Sequence, residues 1–495
     1  MSISQVSVAK NTTYLTAALV VQKVISFTFF LVIARTLGDA GTGDYVAAFS
    51  LSSIFAVFVD LGFAPVLTRE LARHPEQSAE YLRAASTVKL LLAALVFAVL
   101  LAFVIVLNAI GAEHPPLALV AVAGIVMVID SFALTVASVF RGWQNLWYEA
   151  AVVVLNKVFV LGLGYIALQF FPSSLTVGMT ILVGSVMSLF IFARYLKHDL
   201  CLSWRLGYRR DIVMSLWREA VPFALAGIFA AIYSYSDTIL LAILQGSEAV
   251  GQYSVASKTM NAFQFIPSAF MAAVFPAMSN LYDTSPDKLL IVLEQSMKFL
   301  LVICAPLAVG LFVLADEFVL LLGQDFSAAA AAVRILMPSM IFMFLSYPLG
   351  SLLNASRRQH WQTAVIGGGM VLNIALNIWL VPRMSYIGAS WSWFAANIGV
   401  FMVGLWLAHY VVAYRIWPLV LSAIRVGLAA GIMVVTLYYL LTVLPLFVVI
   451  GISGLIYCLI LFISAELTLA DMRYFWSLFI RRNDKSTDQL PHVTL

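Results

Sequence analysis

Charge is scarce in this 495-residue chain. Only 11% of its residues are charged, where a soluble globular chain carries about 25%. That shortage excludes a soluble enzyme, a disordered scaffold and a nucleic-acid binder, since the last needs a basic face and no polybasic run is present. Cysteine is also rare. Cys304 and Cys458 lie in apolar runs and Cys201 in a basic stretch, so the three suit small buried hydrophobes better than a disulfide framework. The sequence holds no HExxH, no GxSxG, no phosphate-cradling loop ending in GK[ST] and no Cys/His metal spacing. Neither a cofactor nor a metal is therefore expected. Long polar insertions are missing too, which argues against a membrane-embedded glycan polymerase or ligase with a catalytic loop outside the bilayer.

What is abundant is apolar surface: 63% of residues are hydrophobic and the mean hydropathy is +0.99. One water-soluble core cannot bury that excess, because single cores stop growing near about 250–300 residues. Lipid is the expected solvent, and a spanning helix needs about 20 apolar residues. Hydropathy predicts an all-α polytopic membrane protein with fourteen spans, near residues 14–34, 45–67, 88–110, 116–139, 150–171, 175–196, 220–244, 253–281, 298–322, 330–353, 361–381, 386–412, 417–442 and 446–466. The polar start MSISQVSVAKNTTYL has no small-residue cleavage site behind it, so the first span is expected to be retained. Alternate connections collect 21 of the 28 lysines and arginines, among them Arg69, Arg73, Arg83, Lys89, Arg141, Arg209, Arg210, Lys288, Lys298, Arg357, Arg358 and Arg415. The opposite connections hold little more than Arg35 and Arg383. By the positive-inside rule both termini face the cytoplasm.

The two halves echo each other. Gly38, Gly43 and Tyr45 recur as Gly246, Gly251 and Tyr253; Pro172 and Gly178 as Pro382 and Gly388; Trp147 and Ala150 as Trp361 and Ala364. An even number of spans per repeat makes the repeats parallel, about an axis along the membrane normal, with a substrate path between them. The expected organisation is a six-helix bundle over 1–197, an amphipathic cytoplasmic linker over 198–218, a second six-helix bundle over 219–412, two additional helices over 413–466 and a cytoplasmic tail over 467–495.

Ionisable groups inside spans each cost about 2.5–3.5 kcal/mol facing lipid. Lys23, Asp60, Asp130, Lys157, Asp237, Lys258 and Arg425 are such groups, so most must face one another or a cavity. Asp237 with Lys258, and Asp60 with Arg141, are expected ion pairs. Lys23 and Lys157 suggest a cationic cavity suited to an anionic head group, continued by Arg35 at the outer mouth, while Arg425 suits a helix interface. Gln22, Asn156, Asn373 and Asn377 add polar lining. Prolines at Pro65, Pro267, Pro276, Pro306, Pro338 and Pro348, and the Gly367–Gly369 run, are expected to bend helices or open them to a cavity.

Three stretches carry a family resemblance: GDYVAAFSLSSIFAVFVDLGFAPVLTREL (Gly43–Leu71), AVGQYSVASKTMNAFQFIPSAFMAAVFPAMSNL (Ala249–Leu281) and LLNASRRQHWQTAVIGGGMVLNIALNIWLVPRMSYIGAS (Leu352–Ser390). Over residues 10–412 the chain resembles the polysaccharide-transporter branch of the MOP flippases. The resemblance implies two pseudo-symmetric six-helix bundles, alternating access over a cationic cavity, no chemical reaction, and transfer of undecaprenyl-pyrophosphate-linked oligosaccharide across the bacterial inner membrane. The substrate and membrane lipid are the partners so implied, with a polysaccharide polymerase and export machinery beside them. By position, Lys23, Arg35, Lys157 and Lys258 become candidates for holding pyrophosphate or acidic sugars, and Asp60, Asp130 and Asp237 for ion coupling or gating. A multidrug or cation antiporter of a related branch, or a lipid II-type flippase, is the alternative.

Overall fold

A computed structural model of the chain describes residues 5–198, 206–414, 416–464 and 466, with side chains from residue 17 onward apart from that of residue 416. Cys201, Arg415, the middle of the expected linker and the expected tail from 467 lie outside the described residues. The helices run in the order α1 (Gln5–Asp60), α2 (Phe63–Arg73), α3 (Ser78–Ala109), α4 (Leu117–Gly142), α5 (Leu146–Phe170), α6 (Ser174–His198), α7 (Arg210–Phe263), α8 (Phe265–Thr284), α9 (Pro286–Val313), α10 (Ala315–Leu320), α11 (Ala329–Ala355), α12 (Gln359–His409), α13 (Ile416–Leu440) and α14 (Leu446–Ile463). No strand occurs among the described residues.

Eleven continuous helical stretches are long and apolar enough to cross a membrane. Three of them are too long for one crossing. A straight helix of the 56 residues in α1 would extend roughly 84 Å at about 1.5 Å per residue, against an apolar bilayer core of about 30 Å. Each of these helices is broken once, at Gly38 in α1, Gly246 in α7 and Ser385 in α12. The eleven stretches thus supply fourteen helical arms, which fall on the fourteen expected spans. Gly38 (φ 66, ψ −167) and Gly246 (φ 80, ψ −178) share one backbone conformation, in a region open almost only to glycine. The sequence repeat is therefore a repeat of backbone shape. A further echo lies at two helix starts: Phe63-Ala-Pro65 opens α2 and Phe265-Ile-Pro267 opens α8, so these prolines mark true helix breaks. Pro276, Pro306, Pro338 and Pro348 instead sit inside continuous helices.

Packing separates several cores. One joins α2, α3, α4 and α6 with Ile212, Leu216 and Ala220 of α7, so the first residues of α7 pack on the first bundle. Gly62 lies against the backbone of this segment, where a Cβ would come within 2.7 Å of the Ala220 carbonyl oxygen. Thr87 and Gly207 exchange hydrogen bonds of 3.0 and 2.9 Å beside it. A large cluster fills the second bundle and takes in Phe30, Ala34, Val46 and Ala47 of α1, and another seats α13 and α14 against α9. The last is pinned by buried Glu466, which accepts from Ser422 at 2.5 Å and Arg425 at 3.2 Å; Lys298 stands 3.7 Å away. Arg425 thus belongs to a helix interface. Leu91, Phe170, Phe447 and Leu455 face outward, an apolar exterior that suits lipid and not water. Cys304 is buried as expected, whereas Cys458 is exposed on that exterior.

Candidate substrate pathway

At the end of the bundle marked by Gly38 and Gly246, the two repeats cross. Gly43 has no room for a side chain, since a Cβ would stand 1.7 Å from the Ser247 carbonyl oxygen. Gly251 meets the Asp39 carbonyl in the same way, at 2.1 Å. With Gly38 aligned on Gly246, Asp39 corresponds to Ser247, Gly43 to Gly251 and Asp44 to Gln252. The contact is thus reciprocal, as across a two-fold axis. Two hydrogen bonds repeat the symmetry: Ser247 donates to Asp44, and Gln252 donates to Asp39 at 2.8 Å and to the Asp325 carbonyl at 2.7 Å. The two repeats are in direct backbone contact at this end.

Beneath the crossing lies a cavity of about 290 Å³ between α1, α7 and α8, lined by Lys23, Ser26, Phe27, Phe30, Ser234, Tyr235, Lys258, Asn261 and Gln264. A second opening of about 270 Å³ between α1 and α8 also reaches Lys23. Lys157 of α5 is within electrostatic range of Lys23 on one side and of Asp130 on the other. Asp130 shares a pocket of about 220 Å³ with Asp60. Lys258 lines a small recess together with Asp237 and Tyr253. Beyond it Ser236 donates to Asn373 Oδ1 at 3.0 Å, and Asn377 Nδ2 donates to the same oxygen at 3.0 Å. The predicted residues therefore form one line of polar groups, from Asp60 in the first bundle through three lysines to Asn377 in the second.

Arg35 stands apart from this line, donating from Nε to the Leu321 carbonyl at 2.6 Å. Asn156 ties α5 to α6 through Ser188 at 2.9 Å, and Gln22 is half-buried beside Lys23.

Both expected ion pairs are corrected. Asp237 and Lys258 share a recess without pairing, because the Tyr253 hydroxyl takes the carboxylate and Lys258 turns into the cavity. Asp60 pairs not with Arg141 but with Lys89, at 2.5 Å. Arg141 is held in a fork by Glu149 through bonds of 2.8 and 2.5 Å, the preferred geometry for guanidinium and carboxylate. Lys89, counted among the loop bases in the sequence reading, is a fully buried residue of α3.

The second-bundle cluster is incompletely satisfied: Asp237 Oδ1, Asn373 Nδ2 and Asn377 Oδ1 are buried without hydrogen-bond partners. Asn373→Leu removes an acceptor shared by two donors, and unpaired buried polar groups cost about 1–3 kcal/mol each. Its thermal unfolding midpoint is expected to fall, mainly through the stranded Ser236 hydroxyl, because Asn377 Nδ2 keeps its 3.0 Å bond to the backbone carbonyl of residue 373; S236A/N373L should recover part of the loss. A midpoint unchanged in Asn373→Leu would show the cluster to be energetically idle.

Against known proteins, residues 8–282 match the family described as polysaccharide biosynthesis protein. The chain belongs to that family. Residues 222–379 also match MatE, and the family places the chain in the polysaccharide-transporter branch of the MOP superfamily. A Shigella flexneri protein described as an O-antigen transporter is 22% identical over 405 residues, covering 78% of this chain and 94% of that one. The Haloferax volcanii protein described as the flippase AglR is 25% identical over 248 residues, covering 49% of this chain, and the match spans about half of its own length, 50%. The solved structure of the lipid II flippase MurJ in an inward closed conformation has a TM-score of 0.73, with 14% identity, over 94% of this chain and 98% of that one. At that identity the likeness shows the fold: the polytopic helical architecture of the family members.

Proposed function

We propose that this chain is not an enzyme but a flippase, carrying an undecaprenyl-pyrophosphate-linked oligosaccharide, a polysaccharide repeat unit, across the bacterial inner membrane by alternating access. The observation that carries this reading is the joint placement of Lys23 and Lys258 on one polar cavity below the backbone crossing of the two repeats. Two ammonium groups on one cavity replace the hydration a pyrophosphate gives up on entering. The hydroxyl and amide groups of Ser26, Ser234, Asn261 and Gln264 suit sugar hydroxyls, and the α1/α8 opening leaves the lipid tail outside. Lys157 extends the cationic lining, and Arg35 serves at the mouth. Asp60, Asp130 and Asp237 act in ion coupling or gating, with Gln22, Asn156, Asn373 and Asn377 as polar support. In this scheme the bundles of 1–197 and 219–412 rock about the cavity, 413–466 adds two helices, both termini lie in the cytoplasm, and a polysaccharide polymerase and export machinery take the product onward.

Deletion of the gene is expected to make a lipid-linked repeat unit accumulate on the cytoplasmic side, with export restored by the wild-type chain. Accumulation of lipid II instead would move the assignment to a lipid II-type flippase, a reading favoured by the MurJ-like fold. The antiporter reading draws on the MatE match and on the unpartnered carboxylate oxygen of Asp237. Drug resistance on expression, with normal surface glycan in the deletion strain, would select it.

A further inference from the structure

The ion pair buried in the first bundle ties Asp60, one end of the polar line above, to Lys89, which takes no part in that line. Lys89 is 1% exposed, and its ammonium donates to Asp60 Oδ1 at 2.5 Å and to the Ser131 carbonyl at 3.2 Å. Beside it lies the pocket of about 220 Å³, lined by Ser52, Ser53, Asp60, Asp130 and Ser131. The hydroxyls of Ser52 and Ser131 are buried there without hydrogen-bond partners, although the residues themselves are only 3% and 7% exposed. Carboxylate and carbonyl meet at the ammonium, the carbonyl also accepting from Thr135 Oγ1 at 2.9 Å, and the two idle hydroxyls line the pocket beside them; all are hard oxygen donors of the kind that bind alkali and alkaline-earth cations. The surrounding charges balance. Arg141 is engaged by Glu149, Lys157 faces Asp130, and Lys89 is left as the direct counter-ion of Asp60.

We propose that the Lys89 ammonium is a resident cation, held by Asp60 and the Ser131 carbonyl at a monovalent-cation site whose adjoining pocket is lined by the Ser52 and Ser131 hydroxyls. Sodium or potassium takes the site when the ammonium is removed. A covalently tethered cation neither leaves nor exchanges with solution, so the first bundle keeps a fixed charge through any conformational cycle. Of the roles proposed for the three carboxylates, Asp60 then serves gating as part of a fixed pair, and any exchange of dissolved cations falls to Asp130 and Asp237. The inference holds whatever the cargo is.

The test uses the full chain purified in detergent, with unfolding midpoints measured in NaCl, KCl and N-methyl-D-glucamine chloride at equal ionic strength. Lys89→Met is expected to unfold at lower temperature than wild type in N-methyl-D-glucamine. It should recover saturably in Na+ or K+, by more than wild type responds to the same salts. D60N/K89M, with both charges gone, should lose that added response while staying folded. Equal salt responses in K89M and wild type would overturn the proposal, as would a response that persists in D60N/K89M. Failure of K89M to accumulate in every salt overturns it too, whether or not the double variant folds, because no dissolved cation then replaces the ammonium.

Discussion

Lys23→Ala and Lys258→Ala are each expected to reduce glycan export by roughly 10–100-fold, the equivalent of the 1.5–3 kcal/mol typical of hydrogen bonds to charged groups. The reason is their shared cavity. An anionic group there meets fixed ammonium charges in place of water, and each alanine removes one of them. Lys23 is exposed to the cavity, so its truncation leaves the packing of α1 intact and the variant should insert at wild-type levels. Lys23→Arg should keep most of the activity, because charge is retained, whereas Lys23→Gln should resemble alanine. Export is read as surface polysaccharide in a complemented deletion strain, with membrane abundance by immunoblot. Wild-type polysaccharide in both alanine variants would remove these lysines from the pathway and leave the cavity without an anion site.

Gly43→Val and Gly251→Val are expected to abolish export for a different reason. At both positions the opposing backbone stands where a Cβ would go, at 1.7 and 2.1 Å, and close packing tolerates no such overlap. The helices must separate, and the crossing cannot close. A cysteine placed at Ser234, on the cavity wall, in a background with the native cysteines replaced, should then be labelled by a membrane-impermeant thiol reagent from the Gly38 side much faster than in the parent. Unchanged labelling together with normal export would show that closure at this crossing is dispensable. Gly43→Ala should give a weaker form of the same phenotype, because the smaller side chain forces a smaller separation.

Hydropathy alone located the helices because each crossing demands a long apolar run, and the three breaks at Gly38, Gly246 and Ser385 fall between runs it had already separated. Partners inside the bundle were harder to read. Whether Asp60 meets Arg141 or Lys89 depends on how α3 and α4 are rotated about their axes, and the outward-facing apolar residues of a membrane helix blur the periodicity that reveals such rotation. Lys89 was hidden by a boundary. The expected third span begins at residue 88, so this lysine falls on its very edge and groups with the loop bases, whereas α3 begins ten residues earlier, at Ser78. Glu149 was overlooked for a similar reason, since it lies in the first turn of α5 and reads as a loop acid. Tyr253 had been noted only as a repeat marker, yet its hydroxyl takes the carboxylate of Asp237. The Gly43 and Gly251 pair was legible as a repeat, but only the folded chain shows each glycine lying on the other repeat's backbone.

The crossing at Gly43 and Gly251 is symmetric in shape and unsymmetric in chemistry. Both side-chain acceptors, Asp39 and Asp44, come from the first half, and both side-chain donors, Ser247 and Gln252, come from the second. Two first halves brought together the same way would set four carboxylates against one another, and two second halves would supply no anionic acceptor. In a crowded membrane, where neighbouring copies present matching surfaces, this one-way complementarity makes each half select its own chain's other half over the like half of a neighbour.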